Sequence, residues 1–272
     1  YEGNTMALTK VSNSMLVQPV NHNILINPSF TVKQRGDVID HNEGSYGPDR
    51  WLVRGITNVG GTMSQSTTVI DSATGINKLV VKHRNATSNG DVNQRIETVN
   101  LLGLYGKEMT LSFSYSDTGG SGIPKVWITS CDSSGTTKEL FNAVPTSLGD
   151  NRWTCTFILS TNDGTIPDVS EYGMQVLIWA NEAKVAPNEW SLWETKLEAG
   201  SVATPFIARS YSEELALCHR YFYSWKTDTS TKTDYMAASS SYSWPSMNMP
   251  TPMRAKPSVT LSRYKTRYTA GD

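Results

Sequence analysis

The chain has 272 residues, a net charge of −1, 38% hydrophobic and 18% charged residues. That length suits one large or two smaller domains around a real hydrophobic core, and the balanced charge lacks the basic field that nucleic-acid or anionic-lipid binding requires. Three cysteines (Cys131, Cys155 and Cys218), far apart in sequence, argue against a disulfide scaffold or a zinc module; no apolar run reaches eighteen residues, so no membrane-spanning helix is expected, and no leader peptide is visible at the start.

Residues 1–22 carry only a short apolar stripe, Leu8, Val11, Met15 and Leu16, too short for a lone helix. They read as a connector, and the abrupt start at Tyr1-Glu2-Gly3 is that expected of a fragment of something longer. From Asn23 onward, short apolar or alternating runs recur between clusters of Gly, Asn, Asp and Ser. Lys78 to Arg84 is one such run. Met109 to Ser116 is the cleanest, with Met109, Leu111, Phe113 and Tyr115 alternating with Thr110, Ser112, Ser114 and Ser116. Period two over eight residues predicts a half-buried strand. Lys125–Ser130, Trp153–Leu159, Met174–Ala180 and Trp190–Leu197 follow, separated by turn chemistry such as Gly119-Gly120-Ser121-Gly122 and Asn162-Asp163-Gly164. Many short strands at this spacing predict an all-β antiparallel sandwich over residues 23–209.

A helix is expected once. Ser212-Glu213-Glu214-Leu215-Ala216-Leu217-Cys218 offers a Ser N-cap, acids in the first turn and then apolar residues. It opens a second unit over 210–272. There Tyr221–Trp225 reads as an aromatic strand, Thr227–Thr233 as a polar tip, and Pro245, Pro250, Pro252 and Pro257 punctuate an extended stretch before Val259–Leu261. The unit is too small and too poor in aliphatics for its own core, so it must pack on the first domain, on a partner subunit or on sequence beyond Asp272.

Several strings, in order along the chain, resemble one family. Asn23-Ile24-Leu25-Ile26-Asn27-Pro28-Ser29-Phe30, then Gln34-Arg35-Gly36 and Pro48-Asp49-Arg50-Trp51, are similar to the opening of carbohydrate-binding-module-like jelly rolls in bacteriophage tail proteins. Leu197-Glu198-Ala199-Gly200-Ser201-Val202-Ala203-Thr204-Pro205-Phe206 resembles their closing strand and exit. Glu213 to Tyr221 and Met253-Arg254-Ala255-Lys256-Pro257 resemble the unit that follows, and Ala7 to Met15 resembles the connector upstream. The resemblance implies a tail-fibre or tailspike receptor-binding protein with a jelly-roll domain. It also implies a homotrimer in the virion, outside the host cell, joined to other phage tail proteins and binding bacterial surface polysaccharide. Similar proteins usually continue past the Met-Arg-Ala-Lys-Pro region, so the C-terminal unit is expected to be incomplete.

Catalysis is not expected. No nucleophile elbow, Walker loop, dinucleotide loop or His-Glu-x-x-His occurs, and His22, His41, His83 and His219 have no ligand spacing. A glycosidase needs two placed carboxylates; Asp49, Asp117, Asp132 and Glu194 are candidates, each with an ordinary role in a turn or on a solvated face. The long β-helix repeats that carry depolymerase activity in similar phage proteins are missing.

The aromatics are more informative, because a flat ring stacks on the apolar face of a sugar while polar side chains bond its hydroxyls. If Val126 and Ile128 face the core, then Lys125, Trp127 and Thr129 face outward; if Met174, Val176 and Ile178 face the core, Gln175, Leu177 and Trp179 share the other face. Trp127, Trp179, Lys125 and Gln175 are therefore candidate glycan contacts. Packing against a subunit and simple shielding are the alternatives. Tyr223, Trp225, Tyr242 and Trp244 lie among Ser and Thr in the distal unit, the composition of an adaptable recognition surface or of an interlocked trimer; Trp225 and Trp244 complete the candidate ligand set. Trp51 and Trp153 are expected in core or rim packing, and Trp190 and Trp193 on opposite faces of one strand. The resemblance also implies a structural Ca2+ near the joined ends of the jelly roll, with Asn27 and Glu198 as ligands; no other cofactor is expected.

Overall fold

The computed structural model describes residues 23–36, 38–41, 45–54, 64–83, 91–118, 122–131, 137–180, 188–224, 236–239, 242–244 and 249–258. In chain order the strands are β1 (Val38–His41), β2 (Ser45–Tyr46), β3 (Leu52–Arg54), β4 (Ser64–Ile70), β5 (Asn77–His83), β6 (Asp91–Glu97), β7 (Glu108–Thr118) and β8 (Pro124–Cys131). They continue as β9 (Thr137–Ala143), β10 (Thr146–Gly149), β11 (Arg152–Ile158), β12 (Tyr172–Ala180), β13 (Asn188–Ala199), β14 (Met236–Ser239) and β15 (Tyr242–Trp244), with one helix, α1 (Tyr211–His219), between β13 and β14. A seven-stranded sheet runs β1-β4-β5-β13-β7-β11-β10 and a six-stranded sheet β2-β3-β6-β12-β8-β9. Every ladder is antiparallel. The chain switches sheets between β1 and β2, between β3 and β4, at each step from β5 to β8, between β9 and β10, and at each step from β11 to β13, which is the winding of a jelly-roll sandwich.

Alternation fills the space between the sheets. Met109, Leu111, Phe113 and Tyr115 of β7, with Leu79, Val81, Trp190 and Leu192 beside them, meet Val53, Val92, Ile96, Val126, Ile128, Met174, Val176 and Ile178 from the other sheet in one core. β13 keeps its apolar side inward through a bulge. Its register with β7 slips between Trp193 and Lys196, and Glu194 takes φ 49°. The extra residue reverses the parity, so Trp190 and Leu192 before it and Leu197 after it all enter the core. Trp190 and Trp193 accordingly lie on opposite faces. Trp51 is fully buried in the core and Trp153 packs at its margin.

Residues 23–36 form no strand; they close one end of the sandwich by side-chain bonding. Asn27, at φ 54°, accepts from the Val32 amide (3.0 Å) and donates to the carbonyls of Val32 (2.8 Å) and Asp49 (2.9 Å). The Asn27 amide donates to Glu214 Oε2 (2.7 Å), and Arg209 holds Glu214 Oε1 (2.6 Å) and the carbonyls of Asn23 and Leu25. A small second core of Ile26, Val32 and Cys218, with Leu215 and Tyr221, seals α1 onto this loop. Of the three packing options open to the C-terminal unit, α1 and the residues just after it use the first domain.

Two local expectations are corrected. The helix cap is Ser210, not Ser212: Ser210 Oγ accepts from the Glu213 amide while Glu213 Oε2 accepts from the Ser210 amide, a reciprocal capping box that starts the helix two residues earlier. Tyr221 to Ser224 form no strand, because Tyr221 and Phe222 turn back to donate their amides to the Cys218 carbonyl. The backbones of β14 and β15 pair as a hairpin. The connector 1–22, Trp225, the tip Thr227–Thr233 and Val259–Leu261 lie outside the described residues.

Candidate functional site

The outward face of the six-stranded sheet brings the predicted residues together. Each of its strands has one face in the core, so the alternate side chains must point away from it. The register arranges these in rows across the sheet. One row runs Leu52, Asn93, Leu177, Trp127 and Asn142; the next runs Arg54, Asp91, Trp179 and Lys125; a third runs Arg95, Gln175, Thr129 and Glu139. Trp127 and Trp179 are thus diagonal neighbours on adjacent strands, within reach of a single extended ligand. The Lys125 ammonium lies 5.7 Å from the centroid of the Trp179 ring.

Beside the indoles, from β3 across β6 to β12, runs a polar chain. Arg54 Nη2 meets Asp91 Oδ2 at 2.9 Å and its Nε spans both carboxylate oxygens at 3.1 Å. Asn93 donates to Asp91 Oδ1 (2.8 Å), and Gln175 donates to Asn93 Oδ1 (3.0 Å). Burial raises the Asp91 carboxyl above its ordinary value, with the bonds from Arg54 and Asn93 opposing that shift. Asn93 is 1%, Leu177 3% and Thr129 3% exposed although all three point away from the core, so the middle of the face lies low. Two buried polar atoms here have no hydrogen-bond partner, Trp127 Nε1 and Thr129 Oγ1. Both are buried beside the two rings, and leaving a donor and a hydroxyl unbonded there costs free energy.

The outward face of the other sheet is different. Arg152 lies across it, donating to Ser112 Oγ (2.8 Å), Ser114 Oγ (3.3 Å) and the Glu194 carbonyl (2.7 Å). Trp193 there is 8% exposed beneath Lys78, whose ammonium is 4.6 Å from the ring and bound to Asp71. Those polar groups bond one another, so the face offers less to a ligand.

Of the sequence-predicted contacts, Trp127, Trp179, Lys125 and Gln175 share the six-stranded face. Trp225 lies outside the described residues, and for Trp244 the backbone alone, in β15, is described. Both residues of the expected metal pair are engaged within the protein. Asn27 has both side-chain polar atoms bonded to backbone, and Glu198 accepts from the Thr204 amide (2.8 Å) and hydroxyl (2.5 Å) and from Lys196 (3.1 Å). Both act as loop fasteners, and among the described residues no group of three His, Cys, Asp or Glu side chains is placed to hold an ion. The candidate carboxylates also do not gather at one place. Asp49 is buried in the opening loop on Gln34 and Arg35, Asp117 sits beside the Tyr115 hydroxyl, Glu194 occupies the β13 bulge, and Asp132 is outside the described residues.

Arg54, Asp91, Asn93 and Arg95 went unread from the sequence because β6 hides its period. Val92 and Ile96 point inward, but the inward residue between them is Gln94, whose amide is satisfied in the core by the Ile26 backbone, accepting at 2.8 Å and donating at 2.8 Å. The signal present was Asp91, Asn93, Arg95 and Glu97 at period two.

No family model and no curated protein matches the chain. Among solved structures, it is similar to the enzymatically active domain of bacteriophage CBA120 tailspike protein 4, at 11% identity and a TM-score of 0.42, over 66% of this chain but 22% of that one. It is also similar to a putative sugar binding protein from Bacteroides thetaiotaomicron, at 11% identity and a TM-score of 0.41, covering 65% of this chain and all of that one. A third likeness is to the CBM22-1 xylan-binding domain of Paenibacillus barcinonensis Xyn10C, at 17% identity and a TM-score of 0.35, over 62% and 97% of the two chains. At such identities these likenesses concern fold alone.

Proposed function

We propose that this chain is a non-catalytic carbohydrate-binding module of a phage tail fibre or tailspike, and that it attaches the virion to bacterial surface polysaccharide outside the cell. The observation that carries the glycan reading is the outward face of β6, β12 and β8: two diagonal indoles, a polar chain beside them on β6, and unbonded Trp127 Nε1 and Thr129 Oγ1. A pyranose has an apolar C–H face for the rings and a rim of hydroxyls for the polar atoms. Support for the phage setting comes from the resembling strings. Asn23–Phe30, Gln34–Arg35, Pro48–Trp51 and Glu213–Tyr221 are distant in sequence, yet they supply the bonds of one knot at the end of the sandwich.

Trp127→Ala and Trp179→Ala are each expected to weaken adsorption to host cells about tenfold, roughly 1–2 kcal/mol per ring, with the melting temperature close to that of the parent. Unchanged adsorption in both would sink the platform. The module is further proposed to act as a homotrimer with other tail proteins, since closed symmetry multiplies weak sugar contacts. Light scattering should give a three-chain mass; a stable monomer at micromolar concentration would reject it. The runner-up reading is a connecting or trimerising module with its receptor site elsewhere. It predicts that the same Trp variants dissociate to monomers while adsorption follows assembly.

A further inference from the structure

We infer that the polysaccharide taken by this face is acidic: a carboxylate-bearing sugar of the hexuronate type stacks on Trp179 with its carboxylate on Lys125. The inference rests on the glycan-binding reading above and adds the chemical class of the ligand.

Its basis is the pairing of charges across the face. Among the described residues the acids there are Asp91, Glu97 and Glu139. Asp91 is bound by Arg54 and Asn93. Glu97 is bound by Arg220 (2.8 Å) and the Tyr221 hydroxyl; burial pushes its carboxyl up, and these bonds together with the attraction of Arg220 and Arg254 bring it below its ordinary value. Glu139 accepts from Asn142 (2.9 Å). Lys125 and Arg95 are left without an acid, and the contact of each is an aromatic ring: Trp179 for Lys125 and Tyr172, 5.7 Å away, for Arg95. Asp91 shares the Lys125 row but lies two strands over, about 10 Å across the sheet, with its oxygens already taken. Lys125 is therefore a cation beside a stacking ring whose charge no acid among the described residues of the face neutralises.

The geometry selects the kind of anion. A compact ion such as phosphate would meet the ammonium but leave the indole unused. A neutral pyranose would use the indole and leave the ammonium unpaired. A hexuronate carries its carboxylate at the edge of the pyranose ring, so stacking on Trp179 brings that group over the ammonium that borders the indole. A charge-assisted bond of this kind is stronger than a neutral one. Arg95, two rows along and two strands over, beside Gln175, offers a second cation to a later acidic residue of a repeating polymer.

The test uses the full 272-residue chain and a panel of purified bacterial capsular polysaccharides, acidic and neutral, each acidic one also supplied after chemical reduction of its carboxylates to alcohols. Binding is read by calorimetry or biolayer interferometry at low and high salt. The expected result is binding to acidic members, a loss of tenfold or more on carboxyl reduction, and weakening by salt. Lys125→Met should lose the same tenfold on the native polymer yet bind the reduced polymer as the parent does, and Lys125→Arg should recover most of the preference. Equal binding of native and reduced polymers, or binding to neutral members alone, overturns the acidic ligand and leaves the glycan reading standing. No binding to any member overturns both.

Discussion

Trp51→Ala should destabilise the chain by about 3–5 kcal/mol, the usual cost of emptying a core site of a large aromatic ring. Trp51 is fully buried where β3 begins, with its ring 5.2 Å from that of Phe30 and its Nε1 donating 2.8 Å to the Asn27 carbonyl. The indole therefore fills the core and also ties the irregular opening loop to it. Removal leaves a cavity that a two-sheet sandwich closes poorly, because both walls are fixed by ladders. For a chain of this size each kcal/mol lowers the melting point by roughly 2–4 °C, so a drop on the order of 10 °C is expected by circular dichroism. Trp51→Phe should retain most of the packing and lose about 1 kcal/mol for the missing N–H bond. Trp193→Ala, outside the core under Lys78, should cost clearly less than Trp51→Ala. Equal costs at the two sites would reject this division of roles.

Asn27→Ala is expected to be comparably damaging, about 3 kcal/mol or more, although it removes only a small polar side chain. It leaves the Val32 amide and the Asp49 carbonyl buried without their Asn27 partners, and an unsatisfied buried backbone group costs roughly 1–3 kcal/mol. It also places a side chain other than Asn, Asp or Gly at φ 54°, which adds about 1 kcal/mol. Asn27→Gly removes the bonds but tolerates the backbone, so it should be milder than Asn27→Ala by about that backbone term. Because the Asn27 amide also bonds Glu214, hydrogen exchange in α1 should quicken in both variants. A melting temperature within a degree or two of the parent for Asn27→Ala would show that the loop is not held by this residue.

The local pattern was enough for the elements whose two faces differ cleanly. β7, β8 and β12 were legible because Met109 to Tyr115, Val126 with Ile128, and Met174 to Ile178 alternate apolar with polar residues, and burial then dictates which side is inward. The same alternation gave Trp127, Trp179, Lys125 and Gln175 a common outward direction before any pairing was known. Tertiary structure decided what alternation cannot carry. Register set Lys125 against Trp179 and Leu177 against Trp127, and register arises from ladders between strands far apart in the chain. The strand β6 was hidden by Gln94, a polar residue that the core accepts because the Ile26 backbone bonds it, a partner 68 residues away. The resemblance pointed to Asn27 and Glu198 as ion ligands; the partners they have within the chain, Val32, Asp49, Thr204 and Lys196, were set by loop closure. The helix cap was misplaced by two residues because Ser210 and Ser212 are equivalent in composition and differ only in backbone geometry. A sequence thus determines which side chains must leave water, while the partners that satisfy its polar groups are set by the three-dimensional approach of distant segments.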